Sequence, residues 1–480
     1  MSAATRPGPI RFGTSGWRGI LGDELHDRRV AAAVTGVAAW LGATRAVGPV
    51  LVAHDRRFGG ARWAALAAAV LRARGRVVRV AREPAPTPAL ARAVRREGAA
   101  AALVFTASHN AAWDHGLKVL DGRGASAAPA VTGVIERAAA EALASSLEPP
   151  ASRVERGVDL LGPYRADLRG ALSGSLDGLG VAYDAMHGAA AGVLDAVLRE
   201  AGARLRVLRV EPDLRFGGSA PDPTPARLAA LRRTVASDPR CALGLASDGD
   251  GDRYAVVDEA GRCISESQAL ALLVDHLARS GRVRAGVAIS LATGSLVERV
   301  ARHHGMTVER VPIGFKYMAD ALAAGTVDVA GEESGGFALG AFSLDKDGML
   351  AGTLLAEMAA REPLGRTLRR LERRFGRLAS GRRALSADPV ASESLERLRE
   401  RPPQRLASGA VRAVDVRDGL RLELEDGFLM LRRSGTEGVL RVYAEAPSAR
   451  GLARRLGEGE RLLRARGHGC SGRILSTAKA

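Results

Sequence analysis

Three times in succession this chain runs through one alternation: strand, helix, strand, helix, strand, with the last strand ending in a polar loop rich in small residues. The first pass reads Val50–Ala53, Arg62–Arg74, Val77–Val80, Pro88–Arg96 and Ala100–Phe105. The second reads Gly180–Tyr183, Ala190–Ala201, Arg204–Val210, Pro225–Ala236 and Ala242–Ala246. The third reads Val287–Leu291, Gly294–His304, Thr307–Val311, Lys316–Ala324 and Val327–Val329. Strands that alternate with helices form parallel or mixed sheets covered on both faces. The repetition is of structure and has no fixed period, so a solenoid is excluded. After about residue 372 the texture changes. Val411–Asp415, Leu420–Glu425 and Phe428–Arg432 read as short strands, followed by a helix over Ala449–Arg466, which is an antiparallel α+β pattern. Prolines 389, 402 and 403 mark 386–403 as a loop-rich connection, and the chain from Gly467 reads as a frayed end. The expectation is an α/β chain. It has three similar α/β domains with mixed sheets plus a C-terminal α+β domain around a central cleft, divided at 1–150, 151–258, 259–372 and 373–480.

The loops carry the chemistry. Asp248-Gly249-Asp250-Gly251-Asp252-Arg253 puts three carboxylates at alternate positions. Glycine lets the backbone curl so that they converge. Such a cluster suits a hard cation, and magnesium takes oxygen ligands while keeping positions open for a substrate phosphate. An EF-hand is excluded, because its sixth position needs glycine and is Arg253, and the flanks read as strands. In Thr106-Ala107-Ser108-His109-Asn110 no G-x-S-x-G elbow surrounds the serine, so a hydrolase triad is disfavoured. Ser108 could instead accept a phosphoryl group, a transfer that a magnesium ion would assist. Gly331-Glu332-Glu333-Ser334-Gly335-Gly336 offers acceptors for sugar hydroxyls. Arg432-Arg433-Ser434-Gly435-Thr436-Glu437-Gly438 offers a guanidinium, hydroxyls and backbone amides for a phosphate.

The four loops in this order resemble the α-D-phosphohexomutase superfamily, and within it the bacterial phosphoglucomutase/phosphomannomutase family. The resemblance runs from Arg11-Phe12-Gly13-Thr14-Ser15-Gly16-Trp17-Arg18-Gly19 to Arg441-Val442-Tyr443-Ala444-Glu445-Ala446. It implies an isomerase of carbohydrate metabolism acting by intramolecular phosphotransfer. Ser108 would be the phosphorylated serine. It would share a magnesium ion with Asp248, Asp250 and Asp252. Arg18, Lys118, Lys346 and His109 would complete the catalytic set. Arg253, Gly314, Lys316, Glu332 and Ser334 would contact the sugar phosphate, and Arg433, Ser434, Gly435 and Thr436 the distal phosphate. Glucose 1,6-bisphosphate would serve as activator.

Departures from the family pattern narrow the substrate. Ala111, His115 and Gly438 replace residues that stiffen or line loops. Gly336 stands where many phosphomannomutases and phosphoglucosamine mutases carry an acid–base histidine. Lys346-Asp347-Gly348 and Ile313-Gly314-Phe315-Lys316-Tyr317 resemble the phosphoglucomutase branch instead. Lysine occurs at only four positions, 118, 316, 346 and 479, in a chain with 70 Lys plus Arg. Three of the four fall in motif loops, and lysine can give up a proton where arginine cannot. A catalytic Lys346 would need a depressed pKa to take up a proton near neutrality. The expected substrates are glucose phosphates. Mannose phosphates or dual specificity are the alternative, then glucosamine phosphates or a non-catalytic sugar-phosphate sensor.

The remaining bounds are exclusions. The net charge of +17 raises a nucleic-acid role. The arginines, however, are dispersed, often on amphipathic helix patterns such as Ala61–Arg74 and Leu364–Arg377. Aromatics are 4%, and no nucleic-acid-binding signature is present. No apolar run reaches the ~20 residues of a membrane span. Met1–Pro9 lacks the apolar stretch of a secretory signal. Cys241, Cys263 and Cys470 do not pair in pattern, which fits a cytoplasmic protein, and Cys241 and Cys263 read as small core residues. The expected partner is a small-molecule sugar phosphate, with no dedicated nucleic-acid or membrane partner.

Overall fold

The computed structural model describes residues 8–13, 16–145, 147–153, 157–435 and 438–465. The chain divides into two compact units, Met1–Gly376 and Arg377–Ala480. Three sheets build the first. Strands β1 (Phe12–Gly13), β2 (Gly16–Ile20), β3 (Val50–His54), β4 (Val78–Val80), β5 (Ala101–Phe105) and β6 (Asp114–Asp121) lie in the order β1-β2-β6-β5-β3-β4. Strands β7 (Gly180–Asp184), β8 (Arg204–Leu208), β9 (Leu243–Ser247), β10 (Tyr254–Val257) and β11 (Cys263–Ile264) lie in the order β11-β10-β9-β7-β8. Strands β12 (Gly286–Ser290), β13 (Thr307–Val311), β14 (Val329–Gly331) and β15 (Phe337–Leu339) lie in the order β13-β12-β14-β15.

One four-strand unit recurs in all three sheets. Three parallel strands come first: β3 with β4 and β5, β7 with β8 and β9, β12 with β13 and β14. An antiparallel strand then returns beside the third: β6 beside β5, β10 beside β9, β15 beside β14. A parallel neighbour needs a crossover helix, whereas an antiparallel one needs only a hairpin. The chain therefore reverses at three equivalent places, between β5 and β6, β9 and β10, and β14 and β15. These are the three loops that the motifs single out. Every residue of β5, β7, β9 and β12 is buried, as parallel strands covered on both faces should be.

The helix Gly348–Arg361 is buried over most of its circumference and joins the core shared by the second and third sheets, with Leu194, Leu245 and Leu270. Asp347 caps it, accepting from the Leu350 amide at 2.8 Å. Lys346 is thereby fixed at the mouth of a buried helix.

The second unit holds β16 (Ala379–Ser386), a small hairpin of β17 (Arg405–Leu406) and β18 (Gly409–Ala410), then β19 (Ala413–Asp415), β20 (Leu420–Leu424), β21 (Gly427–Arg433) and β22 (Val439–Ala446). Its main sheet is antiparallel in the order β16-β22-β21-β20-β19. The helix Ala449–Arg464 shares the core with Leu420, Leu422, Leu429 and Val442.

Several boundaries depart from the sequence reading. The stretch 386–403 is not loop-rich: Pro389–Glu400 is a helix. Pro389 opens it, where no backbone N–H is needed, and the Asp388 side chain accepts from the Ala391 amide at 2.9 Å. Lys316–Ala324 is a tight turn, Phe315–Tyr317, followed by the short helix Ala319–Ala324. The helix read at Ala190–Ala201 spans only Leu194–Glu200. Cys241 is buried and Cys263 half-buried, both unbridged, while Cys470 lies outside the described residues. Among the described residues no helix is long and apolar enough to cross a membrane.

Candidate active site

Ser108 sits in the β5–β6 hairpin, 3% exposed, with φ of 51°, in the left-handed region that a serine adopts only when its surroundings enforce it. The enforcement is visible. Its amide donates to Thr106 Oγ1 at 2.8 Å, and Thr106 Oγ1 donates to Asp55 Oδ2 at 2.6 Å. The buried guanidinium of Arg57 donates to the carbonyls of Ser108, Asn110, Ala111 and Asp114 at 2.5–3.0 Å, and to Asp55 at 3.1 Å. Arg57 also stacks on Phe216 at 4.9 Å. One side chain thus gathers four carbonyls of the hairpin and holds its backbone in place.

The Ser108 hydroxyl points to the triple-aspartate loop and donates to Asp248 Oδ2 at 2.8 Å. His109 Nδ1 is farther, at 3.4 Å, so the serine is held by the acid rather than by the adjacent histidine. Burial, with help from Arg253 and Arg18, pushes the His109 imidazole well below its usual range, and it is neutral. Arg18 reaches the same loop through the Thr106 carbonyl at 2.5 Å. Close packing of the two loops explains one glycine of the metal motif: a Cβ at Gly249 would stand 2.4 Å from the Ser108 carbonyl oxygen.

Asp248, Asp250 and Asp252 are buried, and their ligand oxygens lie within 4.8 Å of one another. Buried carboxylates need compensation. Lys118, on β6, donates at 2.5 Å to Oδ2 of both Asp250 and Asp252. Lys346 stands 3.3 Å from Asp252 Oδ2. The Arg253 amide donates to Asp248 Oδ1 at 3.1 Å. Burial works against the Asp252 carboxylate, but Lys118, Lys346 and Arg253 outweigh it and hold its carboxyl below the usual range. At Asp248, burial and then Asp250 and Asp252 outweigh Arg253 and Lys118 and push its carboxyl well up. The donor set fits a divalent cation, because Oδ1 of Asp250 and of Asp252 are buried without a hydrogen-bond partner among the described residues.

The third hairpin joins this cluster through Lys346. Glu332 is buried, accepts from the Gly314 amide at 2.7 Å, and takes a 3.3 Å bond from the Ser334 hydroxyl. Burial, reinforced by Glu333, raises its carboxyl above the usual range. Lys316 is half-buried, its ammonium 5.3 Å from the Tyr317 ring. A Cβ at Gly336 would lie 2.6 Å from Lys346 Cδ and 3.0 Å from Cγ. The lysine arm therefore occupies the space that a side chain at 336 would need. The expectation of a depressed Lys346 pKa is not met. Burial alone would lower it, but Asp252, Asp345 and Glu332 prevail and raise it, so Lys346 holds its proton.

In the second unit, Arg433 ends β21 and is exposed; Ser434 donates its amide to the Val439 carbonyl at 2.9 Å, closing the hairpin, and Gly435 is exposed. Thr436 lies outside the described residues. Three participants escaped the sequence reading: Asp55, Arg57 and Thr87. The signal for the first two was Asp55-Arg56-Arg57 directly after β3, the same strand-end position that marks the other loops. Thr87 bonds Asp250 from 163 residues away and left no signal.

Most of the chain is similar to known proteins. Residues 9–145, 168–261 and 265–375 match alpha/beta/alpha domains I, II and III of phosphoglucomutase/phosphomannomutase, and residues 393–465 match its C-terminal domain. A phosphoglucosamine mutase of Frankia alni is 31% identical, covering 93% of this chain and 96% of its own. A phosphoglucomutase/phosphomannomutase family protein of Burkholderia thailandensis shares the fold with a TM-score of 0.80 at 24% identity, covering 95% of this chain and 98% of its own. The N-acetylphosphoglucosamine mutase of Aspergillus fumigatus, solved with GlcNAc-6P and magnesium, shares it with a TM-score of 0.56 at 15% identity, covering 96% of each chain.

Proposed function

The chain belongs to the phosphoglucomutase/phosphomannomutase family of α-D-phosphohexomutases, and from that premise we propose that it interconverts hexose 1-phosphates and 6-phosphates with magnesium, glucose phosphates being preferred. The observation that supports this reading most is the single buried cluster of Ser108, three aspartates, Lys118 and Lys346. It pairs a hydroxyl able to carry a phosphoryl group with anionic ligands for a cation and two ammonium groups able to exchange protons.

In the first half-reaction the P–Oγ bond of phosphorylated Ser108 breaks as the free hydroxyl oxygen of the sugar bonds to phosphorus. The products are a hexose 1,6-bisphosphate and free Ser108: the sugar hydroxyl gives up one proton and the Ser108 oxygen released from phosphorus takes one up. In the second half the other phosphate moves to Ser108, whose hydroxyl gives up that proton, and the sugar oxygen it leaves takes one up, so the cycle closes with no net gain or loss of protons. Asp248, Asp250 and Asp252 hold the cation, which when bound offsets charge on the phosphoryl group in transfer. Lys118 and Lys346 move the protons, with Lys346 entering protonated. Arg18, His109 and Arg253 surround the reacting phosphate with donors. Gly314, Lys316, Glu332 and Ser334 bind the sugar, and Arg433, Ser434, Gly435 and Thr436 bind the non-reacting phosphate. Glucose 1,6-bisphosphate phosphorylates Ser108 anew when the intermediate escapes. The substrates are small sugar phosphates of the cytoplasm.

The glucose preference rests on Lys346 filling the space over Gly336. A second reading, glucosamine phosphates, draws on the 31% identity to a phosphoglucosamine mutase. A coupled mutase assay on glucose, mannose and glucosamine 1-phosphates, primed with glucose 1,6-bisphosphate, separates them. We expect the highest kcat/KM on glucose 1-phosphate, loss of activity with a chelator, and recovery with magnesium. A higher kcat/KM on glucosamine 1-phosphate reverses the substrate assignment. Turnover on none of the three, or full activity after exhaustive chelation, overturns the reaction itself.

A further inference from the structure

Asp250 is the middle carboxylate of the triad, and it is tied from outside its own loop at two points. Its carbonyl accepts from the Thr87 amide at 2.9 Å, and its Oδ2 accepts from the Thr87 hydroxyl at 2.5 Å. Thr87 is 2% exposed and is the first residue of the helix Thr87–Glu97. A hydroxyl at a helix start commonly bonds its own helix. Here the helix start has no side-chain cap, and the hydroxyl goes to Asp250 instead. Lys118 donates to the same Oδ2 at 2.5 Å. Both donors are thus gathered on one oxygen, while Oδ1 stays buried and unpartnered among the described residues.

We propose that Thr87 is a positioning residue for the divalent cation, its hydroxyl fixing the Asp250 rotamer so that Oδ1 remains the ligand oxygen. The proposal rests on the reading of the triad as the cation site. The physical reason is general. A ligating carboxylate is oriented by what its other oxygen bonds, and removing that outer partner typically weakens metal affinity about 10–100-fold. Without the Thr87 hydroxyl, Asp250 keeps Lys118, so no charge is stranded. What is lost is the second direction of restraint. The carboxylate can then turn about its last torsion and meet Lys118 with either oxygen, a freedom that cation binding must remove. Thr87 precedes the serine hairpin and Asp250 belongs to the next sheet's hairpin, so the bond also ties cation affinity to the packing of these two segments.

The test is cation binding by the full-length protein without substrate, using Mn2+ as the probe and electron paramagnetic resonance to count free ion. Thr87→Val swaps the hydroxyl for a methyl of similar size and keeps the amide; Thr87→Ser keeps the hydroxyl. The Mn2+ dissociation constant should rise about 10–100-fold in Thr87→Val and stay near wild type in Thr87→Ser. The thermal midpoint in chelator should change little between them. Thr87→Ala provides the same comparison should the valine variant not fold. A Thr87→Val dissociation constant within about twofold of wild type overturns the positioning role, given the effect expected of an outer partner. Equal weakening in Thr87→Ser and Thr87→Val also overturns it, because packing rather than the hydroxyl would then be responsible. Folded wild-type protein that binds no Mn2+ overturns the cation site itself, an outcome distinct from the other two.

Discussion

The β9–β10 and β21–β22 loops both turn hairpins rich in glycine and charge, yet they keep that charge in opposite states. Asp248, Asp250 and Asp252 are at most 2% exposed and are met by Lys118, Lys346, Thr87 and the Ser108 hydroxyl. Arg433 stands exposed at the end of β21. Burying three carboxylates is unfavourable unless the surrounding donors are already in place. The first loop is therefore preorganised, and much of the chain is committed to holding it. An exposed guanidinium stays hydrated and gains only when an anion arrives. The first arrangement suits chemistry at a fixed point, the second the capture of a ligand. The difference predicts that changes in the buried cluster act on turnover by large factors, and changes in the exposed hairpin act on KM by smaller ones.

The largest expected effect is at Ser108. Ser108→Ala removes the oxygen that would carry the phosphoryl group, and turnover should fall on the order of 10³-fold or more. Peptide mass spectrometry of the wild-type protein after incubation with glucose 1,6-bisphosphate should find phosphate on Ser108 and on no other residue of 106–110. An alanine variant with near-normal turnover would remove the reason for grouping these residues as a reaction centre, and the contrast between the hairpins would then concern stability alone.

Lys346 comes next, because the buried cluster allows two roles for it. It holds its proton against burial through Asp252, Asp345 and Glu332, so it is ready to deliver one and takes one only after that delivery. If it moves protons, both Lys346→Arg and Lys346→Met should lose turnover, by about 10²–10⁴-fold. A lysine that only offsets charge would be largely rescued by arginine. Turnover of the two variants against pH decides between them; a near-wild-type Lys346→Arg reassigns the residue as a fixed charge. Gly336→Ala sharpens the same point, since its methyl would meet the lysine arm at 2.6 Å and displace it without touching its charge.

The reactive loops were legible in the sequence because each follows a strand and the four occur together in one order; glycine with acid or hydroxyl residues is by itself common in turns. Their partners were less so. Lys118 stood out as one of few lysines, but nothing in the sequence shows that it bridges Asp250 and Asp252, 132 and 134 residues away. Thr87 acts by a hydrogen bond across 163 residues and Arg57 by hydrogen bonds across 51–57, and the local sequence does not name either one's partners. The return strands were harder. In β6, Asp114–Asp121, glycine, histidine and lysine interrupt the alternation that would have marked it as a strand, so the loop before it reads as a strand end rather than a hairpin. Pro389 misleads in the other direction: proline is a loop signal, whereas here it opens a helix capped by Asp388. The Lys346 proton affinity is not legible in the sequence because it depends on Asp252 and Glu332, residues brought to it only by the fold.

The smallest effect belongs to the exposed hairpin. If Arg433 binds the non-reacting phosphate, Arg433→Ala loses charge-assisted bonds worth about 1.5–3 kcal/mol. That corresponds to roughly 10–150-fold in kcat/KM. The loss should sit mainly in KM, since the bonds exist both before and during transfer and lower both states alike. Arg433→Lys keeps the charge without the planar fork and should recover part of the loss. Because the side chain is exposed, neither variant should move the thermal midpoint appreciably. This last result separates the two hairpins most cleanly, as removal of the charged partner Lys118 from the buried cluster leaves uncompensated carboxylates and destabilises the fold. A loss confined to kcat, with KM unchanged, would mean that Arg433 acts in the transition state rather than in capture, and the division between a chemical hairpin and a binding hairpin would fail at this residue.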